Sequence, residues 1–183
     1  MQIKVVIFLL SLTLFAGVPH AEQAKASSQG HDQTSLIPGG MSPIDLDGDG
    51  VDEIVVKAWR DNFNAHGFYV VSFYKEDENK RLNIIPVEQD DGGFSEILRL
   101  YPAAECWISD IRVDPDFLTL YQKTDYKTIQ DKSRVNAYFY KLKENKEGIP
   151  GLPEWYFEKK YKVQSKGEYC DVREAIEAEI FNK

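Results

Sequence analysis

The chain has 183 residues, 43% of them hydrophobic, with 30 acidic against 22 basic side chains for a formal charge of −8. That length and apolar content suit one ordinary domain with a core of its own. The acidic balance repels phosphate backbones and anionic lipid, which argues against nucleic acid and the membrane surface as partners.

Residues 1–21 open with Lys4, continue through an apolar run from Val5 to Ala16 broken only by Ser11 and Thr13, and close on the small residue Ala21. This is the layout of a cleavable signal peptide, and about a dozen apolar residues are too few to span a bilayer of roughly 30 Å. Pro19 stands where a small residue is usual, so an uncleaved anchor is the alternative. Cleavage before Glu22 removes Lys4, takes the formal charge to −9 and leaves no Cys at the new start for a lipid anchor. The expected location is therefore periplasmic or secreted. Residues 22–41 are polar and rich in Gly, Ser and Gln, the composition of a flexible segment, and His31 within them reads as a solvated side chain. Residues 42–183 form the expected single domain.

Asp45-Leu46-Asp47-Gly48-Asp49-Gly50-Val51-Asp52-Glu53 follows. Carboxylates at alternate positions with a glycine at the sixth let a loop fold back so that its oxygens converge on a hard cation at about 2.4 Å. The expected ion is Ca2+, held by Asp45, Asp47, Asp49, the Val51 carbonyl and Glu53. An EF-hand needs a bidentate Glu at the twelfth position, where this chain has Val56, and Ile54-Val55-Val56 favours a strand over a helix. The loop resembles the Asp-rich calcium loops that lead into strands in integrin-type propeller repeats. The bland alternative is a metal-free turn, against which stands the repulsion of the crowded carboxylates.

From Glu53 onward, runs of β-branched and aromatic residues alternate with turn chemistry. The expected strands are Glu53 to Trp59, Phe68 to Lys75, Arg81 to Val87, Phe94 to Tyr101, Glu105 to Val113, Phe117 to Lys123, Arg134 to Lys143 and Trp155 to Val163. Asp90-Asp91-Gly92-Gly93, Asp114-Pro115-Asp116 and Gly148-Ile149-Pro150-Gly151 supply turns. Alternation at Val135, Ala137, Phe139 and at Trp155, Phe157 predicts one buried face and one wet face carrying Tyr138, Tyr140, Tyr156 and Leu142. Cys106 and Cys170, an even pair in an exported chain, imply one disulfide closing about 65 residues. Asp171 to Phe181 changes to helical spacing, with Asp171 and Glu174 forming a capping-box-like start. The fold class is mostly β, an antiparallel curved sheet or incomplete barrel with one C-terminal α-helix.

Catalytic patterns are sparse. Beyond the leader only His31 and His66 remain, too few for a typical zinc enzyme. Ser72-Phe73-Tyr74-Lys75 matches the serine β-lactamase string Ser-x-x-Lys, yet three-residue spacing on a strand points the two side chains to opposite faces. The connection Trp59-Arg60-Asp61-Asn62-Phe63-Asn64-Ala65-His66-Gly67, close to the Asp-rich loop in sequence, is the candidate ligand surface: Arg60 as an anion clamp, Asn62, Asn64, and His66 as base or donor. A structured turn whose Asn side chains satisfy the backbone is the plainer reading.

The run DLDGDGVDEIVVKAWRDNFNAHGFYVVSFY, Asp45 to Tyr74, resembles the opening of the periplasmic CarG-type carbapenem self-resistance proteins, as do the leader, the size and the β-rich remainder. The resemblance implies periplasmic protection from a carbapenem without β-lactamase chemistry, and it carries over no antibiotic-contacting residue. Three readings stay open: a β-lactam-binding protein, an exported inhibitor or adaptor docking on a periplasmic cell-envelope enzyme, and a hydrolase centred on His66. The first two, which are not enzymes, are preferred.

Overall fold

The structure, a computed structural model, describes residues 35–181 other than 64–66, 104, 105, 115 and 180. The expected signal peptide, His31, Asn64 and His66 lie outside the described residues. Among the described residues, twelve strands and one helix follow in chain order: β1 Ser35–Leu36, β2 Gly40–Ile44, β3 Glu53–Arg60, β4 Phe68–Glu76, β5 Leu82–Ile84, β6 Val87–Glu88, β7 Phe94–Ser95, β8 Leu98–Leu100, β9 Ser109–Val113, β10 Leu118–Lys123, β11 Val135–Glu144, β12 Trp155–Gln164 and α1 Val172–Ala178. One sheet runs β1-β9-β10-β11-β12-β6-β7 and curls into a half-barrel; the other runs β2-β3-β4-β5, with β8 also on β4. The pairings are antiparallel except β12 with β6.

Two expected strands each divide between the sheets. The run from Arg81 ends as β5 at Ile84, and the chain crosses over at Ile85 and Pro86, where proline has no N–H to continue a ladder. Ile85 N–H donates to Phe73 O of the smaller sheet at 2.8 Å, and Phe157 N–H of the larger sheet donates to Pro86 O at 2.9 Å. The run from Phe94 likewise gives β7 to one sheet and β8 to the other. Strand β9 starts at Ser109, after Cys106 and Trp107, which engage the start of α1: Cys106 is bonded to Cys170, with Cα atoms 5.3 Å apart, and Trp107 O accepts from Val172 N–H at 3.0 Å. A disulfide spanning 64 residues stabilises by about 4 kcal/mol in the chain-entropy account.

The segment expected to be flexible, 22–41, is ordered at its end. Ser35–Leu36 pairs with β9, Gly40–Ile44 pairs with β3, and Ile37 is buried between them. Polar composition hid this, because β1 is held by β9, far along the chain, and β2 by β3 across the Asp-rich loop.

The expected wet face of β11 is also corrected. Tyr140 and Leu142 are buried in the core between the sheets, with Val55, Val71, Phe73 and Phe157. Val135, Ala137 and Phe139 occupy the opposite face and form a second core with Val172, Ala175 and Ile176 of α1. Sheet and helix therefore cover both sides of β11. The register of β12 slips at its partners Phe139/Tyr140, so Lys160 is an extra residue. That bulge reverses the phase of β12: Phe157 enters the inter-sheet core, and Tyr161, four residues on, reaches the helix side to stack on Phe139 at 4.5 Å. Tyr156 packs edge-on against Phe94 at 5.3 Å.

Helix α1 starts as the sequence indicates, with Asp171 as N-cap accepting from Arg173 N–H at 2.8 Å. It stops at Ala178 rather than running to Phe181, because the Glu179 carboxylate turns back to accept from Lys166 N–H, Gly167 N–H and Tyr169 Oη. No helix among the described residues is long and apolar enough to cross a membrane.

Candidate functional site

The Asp-rich loop joins β2 to β3, and its own backbone organises the carboxylates. Asp45 accepts from Gly48 N–H at 2.7 Å and Gly50 N–H at 2.9 Å, Asp47 from Asp49 N–H at 3.2 Å, and Asp49 from Val51 N–H at 2.7 Å. Gly50 has φ +85°, a left-handed conformation that other residues reach only with strain. Oxygens of Asp45, Asp47 and Asp49 all lie within 4.8 Å of one another. Two oxygens on opposite sides of a hard ion at about 2.4 Å are about 4.8 Å apart, so these three carboxylates fit a metal ion.

Glu53 stands apart from the three converging carboxylates. Glu53 is 1% exposed, is outside the converging set, and is already satisfied: Leu46 N–H donates to Oε2 at 2.9 Å and the Lys75 ammonium donates to Oε1. At Val51, whose carbonyl is the expected ligand, the N–H donates to Asp49.

Lys75 is the residue that sequence reasoning missed at this loop. It projects from β4, where Ile54 pairs with Tyr74, so the next positions outward are Glu53 and Lys75. Its ammonium also lies 3.5 Å from Asp47 and 3.8 Å from Asp49, and 4.5 Å from the centre of the Trp155 ring. Burial pulls the Lys75 pKa down, but the hydrogen bond and charge of Glu53, with Asp47 and Asp49, outweigh it and the net shift is upward. Lys75 is thus a tethered counter-cation. The cross-strand pairing was readable only from the register, which the length of the 61–67 connection hides.

Trp59 and Arg60, which open the sequence-adjacent connection, are not near the loop in space. They lie at the far end of β3, where Arg60 is about 23 Å from Glu53 along an eight-residue strand. Trp59 is half exposed, packs edge-on to Tyr69 at 4.9 Å and lies so close over Gly67 that a Cβ there would fall 2.1 Å from its ring. Asp61 caps the turn by accepting from Phe63 N–H at 2.8 Å. Of the four candidate ligand residues, the structure describes Arg60 and Asn62, and Arg60 lies over the Phe68 ring at 5.2 Å. Arg99 of β8, absent from the sequence reading, lies over the same ring at 5.7 Å.

A cleft of about 410 Å³ opens beside Lys75 and Trp155, lined also by Asp77, Arg81, Asn83 and Glu154. The Arg81 backbone N–H, then its side chain, holds the Asp77 carboxyl down to about 2. Asp110 on β9 is a further buried carboxyl: burial pushes its pKa up, against the Ile111 N–H and the charges of Lys57, Arg173 and Arg112. Ser72 and Lys75 both belong to β4 and point to opposite sides of the sheet.

The chain matches the family described as carbapenem resistance protein CarG-like over residues 37–178. Among solved structures, one titled "Crystal structure of CarG" matches with a TM-score of 0.68 and 21% identity, covering 80% of this chain and 94% of that one. At that identity the likeness is one of fold. No curated protein matches the chain.

Proposed function

The chain belongs to the CarG-like family of carbapenem resistance proteins, and on that footing we propose that it acts in the periplasm as a calcium-binding protein that protects the cell from a carbapenem by binding rather than hydrolysis. The observation that carries the binding reading is the placement of Ser72 and Lys75 on opposite faces of β4, which leaves the Ser-x-x-Lys pair without the shared face a nucleophile and its base need. The signal-peptide layout and the Cys106–Cys170 disulfide support export to an oxidising compartment. Asp45, Asp47 and Asp49 would hold the calcium ion, whose double charge offsets their mutual repulsion and fixes the β2–β3 connection.

Expression in a carbapenem-sensitive host should raise the inhibitory concentration, and unchanged sensitivity would reject the reading. Purified protein incubated with the antibiotic should bind it while β-lactam absorbance persists. Protection without binding would transfer the function to a cell-envelope protein target, as an exported inhibitor or adaptor.

A further inference from the structure

The far end of β3 carries an arrangement that the acidic loop does not explain. Arg60 pairs with Phe68, and Arg99, on the opposite flank of β4, pairs with Val70, so register places Arg60, Phe68 and Arg99 on one face of the sheet. Both guanidiniums converge on one ring, their central carbons 5.2 Å and 5.7 Å from its centroid. Phe68 is buried beneath them and packs against the partly exposed Tyr101 at 5.4 Å.

Neither guanidinium forms an ion pair with a described residue, although the chain has 30 acidic side chains. Arg81 and Arg173, by contrast, are each paired with an Asp. Two cations held against one ring repel each other, and a bridging anion reverses that term. An arginine stacked on an aromatic face keeps its planar edge free for bidentate contact with a carboxylate. The 410 Å³ cleft is the wrong place for such a group: Glu76, Asp77, Glu78, Glu144 and Glu154 line it, and its Lys75 is already taken by Glu53.

We propose that Arg60 and Arg99 form a two-guanidinium seat for a carboxylate borne on a small ring, with Phe68 and Tyr101 as the apolar floor. A carbapenem, a bicyclic β-lactam with a ring carboxylate, belongs to this class; that assignment rests on the function proposed above, whereas the seat itself does not.

The test uses the full chain after leader cleavage, with meropenem and benzoate as separate probes and the arginine Nε–H resonances as readout. Both probes should shift Arg60 and Arg99, and Arg60→Gln and Arg99→Gln should each weaken binding about tenfold, the scale of losing a charge-assisted hydrogen bond. The shifts in the unmodified chain give the answer even if a variant misfolds. Probes that bind while both arginine resonances stay still overturn the seat and leave antibiotic binding intact. Benzoate moving the arginines while meropenem does not bind keeps the seat and removes the antibiotic. No binding of either probe at millimolar concentration rejects both.

Discussion

Strand β3 begins at Glu53, a carboxylate 1% exposed and held by Lys75 and the Leu46 N–H, and ends at Arg60, which lies over Phe68 without an ion pair among the described residues. At the first end, charges from the loop and from β4 satisfy one another within the chain. At the second end, two like charges converge on one ring and leave their hydrogen-bonding edges for something outside. Internal satisfaction of buried charge stabilises a fold, because an uncompensated charge there is costly; charge left unmatched at a surface supplies recognition.

The largest separation between the two ends should come from truncating their charges. Glu53→Ala removes the buried partner of Lys75 and should lower the unfolding free energy in urea by about 3 kcal/mol. Arg60→Gln should change it by less than about 1 kcal/mol, the scale of an exposed cation–π contact. Comparable losses at both ends would erase the distinction.

Calcium should act on one end alone. At a hundred times its dissociation constant it should add about 2.7 kcal/mol to the unfolding free energy. The triple variant D45N/D47N/D49N should lose that gain, and Arg60→Gln with Arg99→Gln should keep it. A melting temperature unmoved by chelation removes the structural role of the ion.

Lys75 sharpens the same end. Lys75→Met removes a cation tethered among the carboxylates, and calorimetry should find calcium bound about tenfold more tightly. The direct repulsion between a divalent ion and a unit charge about 4 Å apart is on the order of 8 kcal/mol at an effective permittivity near 20, reduced here by partial exposure. Unchanged affinity would mean that the ammonium and the ion occupy different places.

The smallest effect is in acid. Asp77 titrates at about 2 in the folded protein against 3.8 when unperturbed. A lowered folded value means that its contribution to stability is complete above the unfolded pKa and is lost as pH falls from there through about 2. An NMR titration of its carboxyl should show that midpoint, and a value near 3.8 would remove the Arg81 contacts as its cause.

Residues 45–53 were legible because their geometry is local: the loop is organised by bonds from its own N–H groups to its alternate carboxylates, all within nine residues. Strands β3 and β4, the C-terminal helix start and the Cys106–Cys170 pair were legible for similar reasons of periodicity and count. Lys75 was misleading in sequence, since its nearest pattern was Ser-x-x-Lys, and its actual partner Glu53 is 22 residues away. Arg99 carried no signal at all, because only the pairing of β8 with β4 brings it to Phe68.

By itself, then, the sequence determined the mostly β class, the acidic loop, the single disulfide and a short helix capped by Asp171, all set by nearest-neighbour chemistry or simple periodicity. Tertiary structure alone decided which carboxylate meets which cation, how the runs beginning at Arg81 and Phe94 divide between two sheets, and that a bulge at Lys160 turns β12 from one core to the other. Those outcomes depend on register between distant strands, and a shift of one residue exchanges the faces of a strand without altering its composition or its alternation.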